Sequence, residues 1–214
     1  MLTLGLDTSE PLGGVGLYEE EGLSEERWME QPFRHAENLF PLIDRTLKEF
    51  KVDRKRIDSV SVHRGPGSFT GLRIGLAAAK GLCQAWNVPL VGVDGTWIYR
   101  ARVPEAERLC VVSPSRRDLF YARWFVGARP KGPTSLIQEE ELIRKLLEEQ
   151  REVTLVGSGA SRIYERLIDA PNIRCAAEAL NRPSPLWVAR LGRNEKSSDR
   201  LYELEPLYVE PLLA

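Results

Sequence analysis

Residues 63–86, HRGPGSFTGLRIGLAAAKGLCQAW, restrict what this chain can fold into more than any other stretch. Just before them, Ser59-Val60-Ser61-Val62 alternates as a short β-strand does. Gly65-Pro66-Gly67 ends that run, because glycine tolerates positive φ while proline fixes its own φ and restricts the residue before it. Ser68 or Thr70 can then cap a helix by accepting its first free N–H groups. From Gly71 to Trp86 this helix is apolar or small nearly all round. Leu72, Leu76, Ala79, Cys83 and Trp86 make one stripe at helical spacing, and Ile74, Ala78, Gly81 and Ala85 make another. Gly71, Gly75 and Ala79 form a flat track, and only Arg73, Lys80 and Gln84 line up as a polar strip. A surface helix normally buries one stripe, so this one must be covered on more than one side. Its glycines cost helix propensity, which close approach of another backbone would offset. Two coverings fit the pattern. The helix is either sheathed by its own chain, or half covered by its own sheet and half by another protein.

The full chain of 214 residues allows one large or two small domains. Its 30 basic and 31 acidic side chains leave a net charge of −1, which disfavours a dominant nucleic-acid binder. No apolar run is long enough for a membrane span, and MLTLGLDTSE has no basic segment and reaches Asp7 too early for a signal peptide, so a cytoplasmic protein is expected. Cys83, Cys110 and Cys175 are odd in number and far apart, as buried small hydrophobes in a reducing compartment would be. There is no short-period repeat.

In chain order, Leu2 to Asp7 alternates as a strand, Thr8 to Gly14 is a polar turn, Val15 to Tyr18 closes a hairpin, and Leu23 to Glu30 reads as a third strand. Three antiparallel strands with Asp7, Thr8 and Ser9 at the first turn suit the actin-like ATPase and sugar-kinase superfold, whose first turn cradles a nucleotide phosphate. The same residues also make an ordinary hairpin turn. His35 to Phe50 is an amphipathic helix in which Pro41 predicts a kink or an early break. His35 and His63, the only two histidines, stand 28 residues apart with no local carboxylate pattern, so no metal site is expected. Leu90 to Asp94 is a continuous apolar strand, and with the strand and helix before it makes a parallel crossover unit. A short helix follows to Arg102.

The domain boundary is expected at Val103-Pro104-Glu105, giving lobes of 1–103 and 104–214, with the C-terminal tail free to return to the first lobe. In the second lobe Leu109 to Val112 and Leu119 to Val126 read as strands, and residues 127–134 as a loop. Gln138 to Gln150 reads as a helix, and its run of three glutamates suits the helix dipole. Val153 to Val156 is a strand, Ser161 to Ile168 a helix, Ser184 to Gly192 a last helix, and the tail from Glu205 is extended. Gly157 and Gly159, in the turn after a strand, can approach a phosphate or serve only as a packing turn.

The run Gly65 to Gly75, followed by Ala79-Lys80-Gly81-Leu82, closely resembles the signature of the bacterial TsaB (YeaZ) family. LGLDTS, HAENLFPLI, VPLVGV, VGSG and PLYV carry the resemblance over most of the chain. The resemblance implies an α/β, actin-like (ribonuclease H-like) two-lobe fold, with mixed sheets flanked by helices. It implies a non-catalytic scaffold subunit that binds and activates the catalytic TsaD-type threonylcarbamoyl transferase in making threonylcarbamoyladenosine in tRNA. A TsaE-type subunit that hydrolyses ATP would join them, tRNA would be reached indirectly, and the free chain would form a homodimer. On this reading Phe69, Thr70, Leu72, Arg73, Leu76, Ala79, Lys80 and Cys83 form the partner interface. Asp7, Thr8, Ser9, Gly65, Gly67, Gly157 and Gly159 are nucleotide-proximal candidates, with ATP or ADP at the complex interface rather than held by this chain alone.

Two departures bear on activity. The catalytic relative's paired metal-binding histidines fall at Gly95 and Tyr99 here, so those ligands are missing. Where the family's second lobe commonly opens with an Asp-Ala-Arg turn, this chain has Pro114-Ser115-Arg116. A metal–phosphate site lacking that carboxylate would hold Mg·ATP poorly. The competing readings are a sugar-kinase-like small-molecule phosphotransferase with Asp7 or Asp94 as base, and an inactive glycoprotease-like protein.

Overall fold

The computed structural model of the chain describes residues 1–194 and 201–209. The described residues divide into two compact units: Met1–Ile98 with 184–194 and 201–207, and Tyr99–Pro183 with 208–209. The division falls a few residues before the expected Val103–Glu105, and the last helix lies in the first unit rather than in the second lobe.

The first unit is a five-stranded sheet in the order β3-β2-β1-β4-β5. Its strands are β1 (Leu2–Asp7), β2 (Gly14–Glu19), β3 (Ser24–Trp28), β4 (Ile57–His63) and β5 (Leu90–Val93). β1 pairs antiparallel with β2, which pairs antiparallel with β3, while β4 runs parallel to both β1 and β5. Alternation sorts the two faces. Leu4 faces Leu17 and Val60 across the ladders, and Leu6 faces Val15 and Val62. These side chains bury one aliphatic face under helices α1 (His35–Glu49) and α2 (Phe69–Trp86). The residues between them are small or hydroxylic. Gly5 lies opposite Gly16 and Ser61, and the Thr3 and Ser59 hydroxyls are hydrogen-bonded at 3.0 Å. That flat face takes helix α6 (Pro185–Gly192) at close range. A Cβ on Gly5 would fall on the Pro185 carbonyl oxygen, and one on Gly16 would meet the same peptide. Ser184 caps α6 by accepting from the Trp187 N–H, and its hydroxyl donates to Glu26 on β3 at 2.5 Å.

α1 runs unbroken through Pro41, against the expected break. The carbonyl that Pro41 leaves without a partner belongs to Glu37, and both residues are exposed, so the lost bond lies on a solvent-accessible face and costs little. Ser68 caps α2, as expected, by accepting from Gly71 N–H, and Asn87 ends it in the left-handed region at φ 56°. α3 (Gly95–Arg102) crosses from one unit to the other.

The second unit repeats the strand order. β6 (Arg108–Pro114) pairs antiparallel with β7 (Leu119–Val126), which carries β8 (Arg129–Pro130) and β9 (Ser135–Gln138). β10 (Val153–Val156) and β11 (Ile173–Cys175) extend the sheet in parallel on the other side of β6. Helices α4 (Glu139–Leu147) and α5 (Ala160–Glu165) make its crossovers and close a core around Phe120, Leu142, Leu146 and Leu155. Both helices are shorter than expected, and β8, β9 and β11 were not anticipated.

Gly5 and Gly81 predict opposite responses to the same change. Gly5→Ala should destabilise the chain by about 3 kcal/mol, because α6 has no room to retreat. Gly81, mid-helix with nothing within 4 Å of its added Cβ, should gain about 1 kcal/mol on becoming Ala. Urea denaturation of the two variants checks this, and a stabilised Gly5→Ala would contradict the packing described.

Candidate functional site

The surface of α2 is decided at the turn after β1. Thr8 is fully buried, and its hydroxyl donates to the Gly71 carbonyl at 2.7 Å. A Cβ on Gly71 would fall on the Thr8 carbonyl oxygen, and one on Gly75 on the Thr8 hydroxyl. The flat glycine track is therefore filled by the chain's own first turn. Of the residues expected at a partner interface, Leu72, Leu76, Ala79 and Cys83 are instead buried, and Leu76, Ala79 and Cys83 sit in the aliphatic core of the first unit. They follow the track inward because they share its side of the helix. Burial also pushes the Cys83 thiol up to about 12, so it is an inert core group.

What remains outside is a different stripe. Phe69, Thr70, Arg73, Ala77, Gly81, Gln84 and Ala85 are exposed, and Ile74 is half-buried. Phe69 is 48% exposed and the Arg73 guanidinium stacks on its ring at 3.8 Å. Lys80 points toward the C-terminal segment, donating to the Tyr202 carbonyl at 3.0 Å, while the Tyr202 hydroxyl donates to Gln84 at 2.8 Å. Below them Leu204 is buried against Gly92. α1 packs beside α2 and adds Phe40, 51% exposed, to the apolar surface. Phe40 escaped notice in the sequence. Its signal was a large aromatic standing one place off the buried Leu39–Leu42/Ile43–Thr46 stripe of α1.

The nucleotide-proximal candidates make hydrogen bonds or close contacts within their own chain, although Asp7 Oδ2 is buried and has no hydrogen-bond partner among the described residues. Asp7 Oδ1 accepts from both the N–H and the hydroxyl of Ser9, at 2.9 and 2.7 Å, and Asp7, Thr8 and Ser9 are all buried. Ser9 O accepts from Ser68 N–H, and Gly67 lies against Ser9 with no room for a Cβ. Gly65, at φ +116°, donates to His63 Nδ1 and accepts from Gly95 N–H. The His63 ring occupies the space beside Gly95, one of the two places where the resemblance sets metal-binding histidines in the catalytic relative. In the second unit Gly157 N–H donates to Asn181 and Gly159 N–H to the Val112 carbonyl, so this turn fastens β10 to its neighbours. Among the described residues no three His, Cys, Asp or Glu side chains group as metal ligands would, and no helix is long and apolar enough to cross a membrane.

Residues 32–125 match the family described as TsaD: tRNA N6-adenosine threonylcarbamoyltransferase. TsaB of Bacillus subtilis, a tRNA threonylcarbamoyladenosine biosynthesis protein, is 24% identical over 228 residues, covering 98% of this chain and 99% of that one. An uncharacterized protein of Mycobacterium tuberculosis is 32% identical over 132 residues, and the match spans 61% of this chain and 62% of the relative's length. Among solved structures, YeaZ from Pseudomonas aeruginosa superposes with a TM-score of 0.78 at 24% identity, covering 97% and 99% of the two chains. The ADPNP-bound activator of 2-hydroxyisocaproyl-CoA dehydratase from Clostridium difficile gives 0.53 at 10% identity over 91% and 95%. These likenesses and the repeated strand order make the fold α/β and actin-like.

His35, the buried first residue of α1, supplies a pH test. Burial pushes its imidazole pKa down, opposed by a hydrogen bond to the Glu10 backbone and by the charge of Asp7. The unfolded chain takes up a proton near pH 6.5 that the folded chain resists, so this share of stability is lost as pH falls below about 6.5. Wild type should therefore lose more stability than His35→Asn between about pH 7 and pH 5.5 in urea titrations. Equal losses would contradict a neutral buried His35.

Proposed function

We propose that this chain, which belongs to the TsaB (YeaZ) family, is a non-catalytic subunit that docks a TsaD-type threonylcarbamoyl transferase through the outer face of α1 and α2 and thereby serves N6-threonylcarbamoylation of adenosine in tRNA. One observation carries the reading. α2 keeps a nearly flat outer stretch of Ala77, Gly81 and Ala85, with Thr70, Ile74 and the stacked Phe69–Arg73 pair at its N-terminal end and Gln84 beside it, after its inner stripe has been filled by its own chain. Side chains this small let a second helix approach at the short end of the usual interaxial range of about 8–10 Å. Phe69 and Phe40 supply the aromatic anchors that commonly dominate such interfaces, and the guanidinium stacked on Phe69 can fix register.

The length of α2 supports the same reading. Its counterpart in the second unit, α5, makes the equivalent parallel crossover with 6 residues, where α2 uses 18. Strand connection alone therefore does not require the outer turns of α2. The non-catalytic part of the proposal draws on the first turn, where Ser9 bonds to Asp7 Oδ1 and to Ser68 N–H and packs against Gly67, and on Pro114-Ser115-Arg116 in place of an acid. ATP or ADP, and the TsaE-type subunit that uses it, would then belong to the assembled complex. In isolation the same α1–α2 face would pair with a second copy of the chain.

Ala77→Glu and Gly81→Glu place charge on the outer stripe without touching the core. Each should keep the fold and weaken binding to the TsaD-type subunit at least about tenfold in calorimetric titration, since a buried unpaired carboxylate at a helix contact costs more than one factor of ten. Leu76→Glu should instead unfold the chain, because Leu76 lies in the core. Unchanged affinity in both surface variants would overturn the proposal.

A further inference from the structure

The second unit holds a cavity that the docking reading does not use. It measures about 580 Å³, within the usual range for small-ligand sites. It opens at the beginnings of the parallel strands, since Arg108 starts β6 and Arg151 precedes β10, whereas the Gly157–Gly159 turn follows the far end of β10. Trp124 is half-buried, packed on the core of the second unit, and lines the cavity. Around it stand Lys131, Lys145 and Arg151, with Arg108 paired to Glu149 at 3.3 Å.

The cations there are available to a ligand. Lys131 makes no ion pair among the described residues. Lys145 pairs with Glu141 and Arg151 with Glu107, the latter at 3.9 Å, and all four side chains are exposed, so these contacts are weak and exchangeable. Of the carboxylates in the lining, Glu148 is held by Arg144 and Glu149 by Arg108. Over residues 99–183 basic side chains outnumber acidic ones, although the whole chain is at −1.

We infer that this cavity binds a nucleotide, with the base stacked on Trp124 and the phosphate held by Lys131, Lys145 and Arg151. An indole beside several cations is the combination that single-stranded nucleic-acid sites use, stacking for the base and charge for the backbone. Gln150 gives the cavity a side-chain acceptor for the exocyclic amine of a base. An acidic peptide would engage the cations but has no ring to stack on the indole. The nucleotide can come free or as part of an RNA strand. The inference stands apart from the docking proposal, and neither needs the other.

The test is fluorescence anisotropy of a labelled RNA stem–loop with the full chain, in competition with ATP, with an unlabelled stem–loop and with polyglutamate. Three phosphate-facing cations predict a slope of about −2 for log affinity against log salt, falling to about −0.7 in Lys131→Gln/Arg151→Gln. Trp124→Leu should weaken binding about tenfold or more, with circular dichroism reporting on its fold. The exposed double variant keeps the test decisive if that fold is lost. Competition by ATP at concentrations like those of the unlabelled stem–loop identifies a free nucleotide as the ligand, and competition by the unlabelled stem–loop alone identifies an RNA strand. No binding at low salt, a slope unchanged in the double variant, or displacement by polyglutamate as effective as by RNA would overturn the inference.

Discussion

The contact of Thr8 with α2 decides what the first unit can present to the outside. Its hydroxyl bonds to the Gly71 carbonyl, and the two glycines at 71 and 75 leave room for its backbone and side chain and for nothing else. That contact fixes the rotation of α2 about its own axis. Once the glycine track faces the β1 turn, Leu72, Leu76, Ala79 and Cys83 must turn inward, and Phe69, Arg73, Ala77 and Gly81 must face solvent. The same contact draws Ser9 against Gly67 and the capping Ser68, so the turn that would cradle a phosphate in an open actin-like site is filled by contacts within the chain, with Asp7 Oδ2 left unpaired among the described residues. The solvent-facing stripe of α2 and the filled turn thus have one physical origin.

The two units show how one topology is put to different uses. Both place an antiparallel hairpin beside parallel strands in the same order. In the first, the sheet is aliphatic on one side and nearly bare on the other, and α6, arriving from late in the chain, covers the bare side through Gly5 and Gly16. In the second, the crossover helices are short, and an ion-pair group in which buried Glu139 bonds to Arg162 binds α4 to α5. The long helix of the first unit is the exception within this repeat, and that excess length carries the functional reading.

Much of the fold was legible. The alternation of Leu2–Asp7 and Ser59–Val62, the Gly-Pro-Gly break and the Ser68 cap gave the strand, loop and helix at the centre of the first unit. The side of α2 left facing solvent was not legible, because two small-residue stripes look alike in sequence and only the distant Thr8 chooses between them. Pro41 misled because its missing hydrogen bond lies on a wet face. The placement of α6 in the first unit could not be read from its own residues, since its partners are glycines on strands more than 150 residues away. The strands β9 and β11 are too short to leave a period. The cavity beside Trp124 depends on four separate segments meeting at one sheet end, which no local pattern records.

The central claim is that α2 was rotated by its own chain so that a small, flat stripe is left for a second protein. Hydroxyl-radical footprinting of the free chain and of its mixture with a TsaD-type subunit reads that stripe directly. The account predicts that oxidation of Phe69 and Phe40 slows sharply in the mixture, while Leu72 and Leu76 stay unreactive in both. Phe69 and Phe40 oxidised as fast in a formed complex as in the free chain would contradict it.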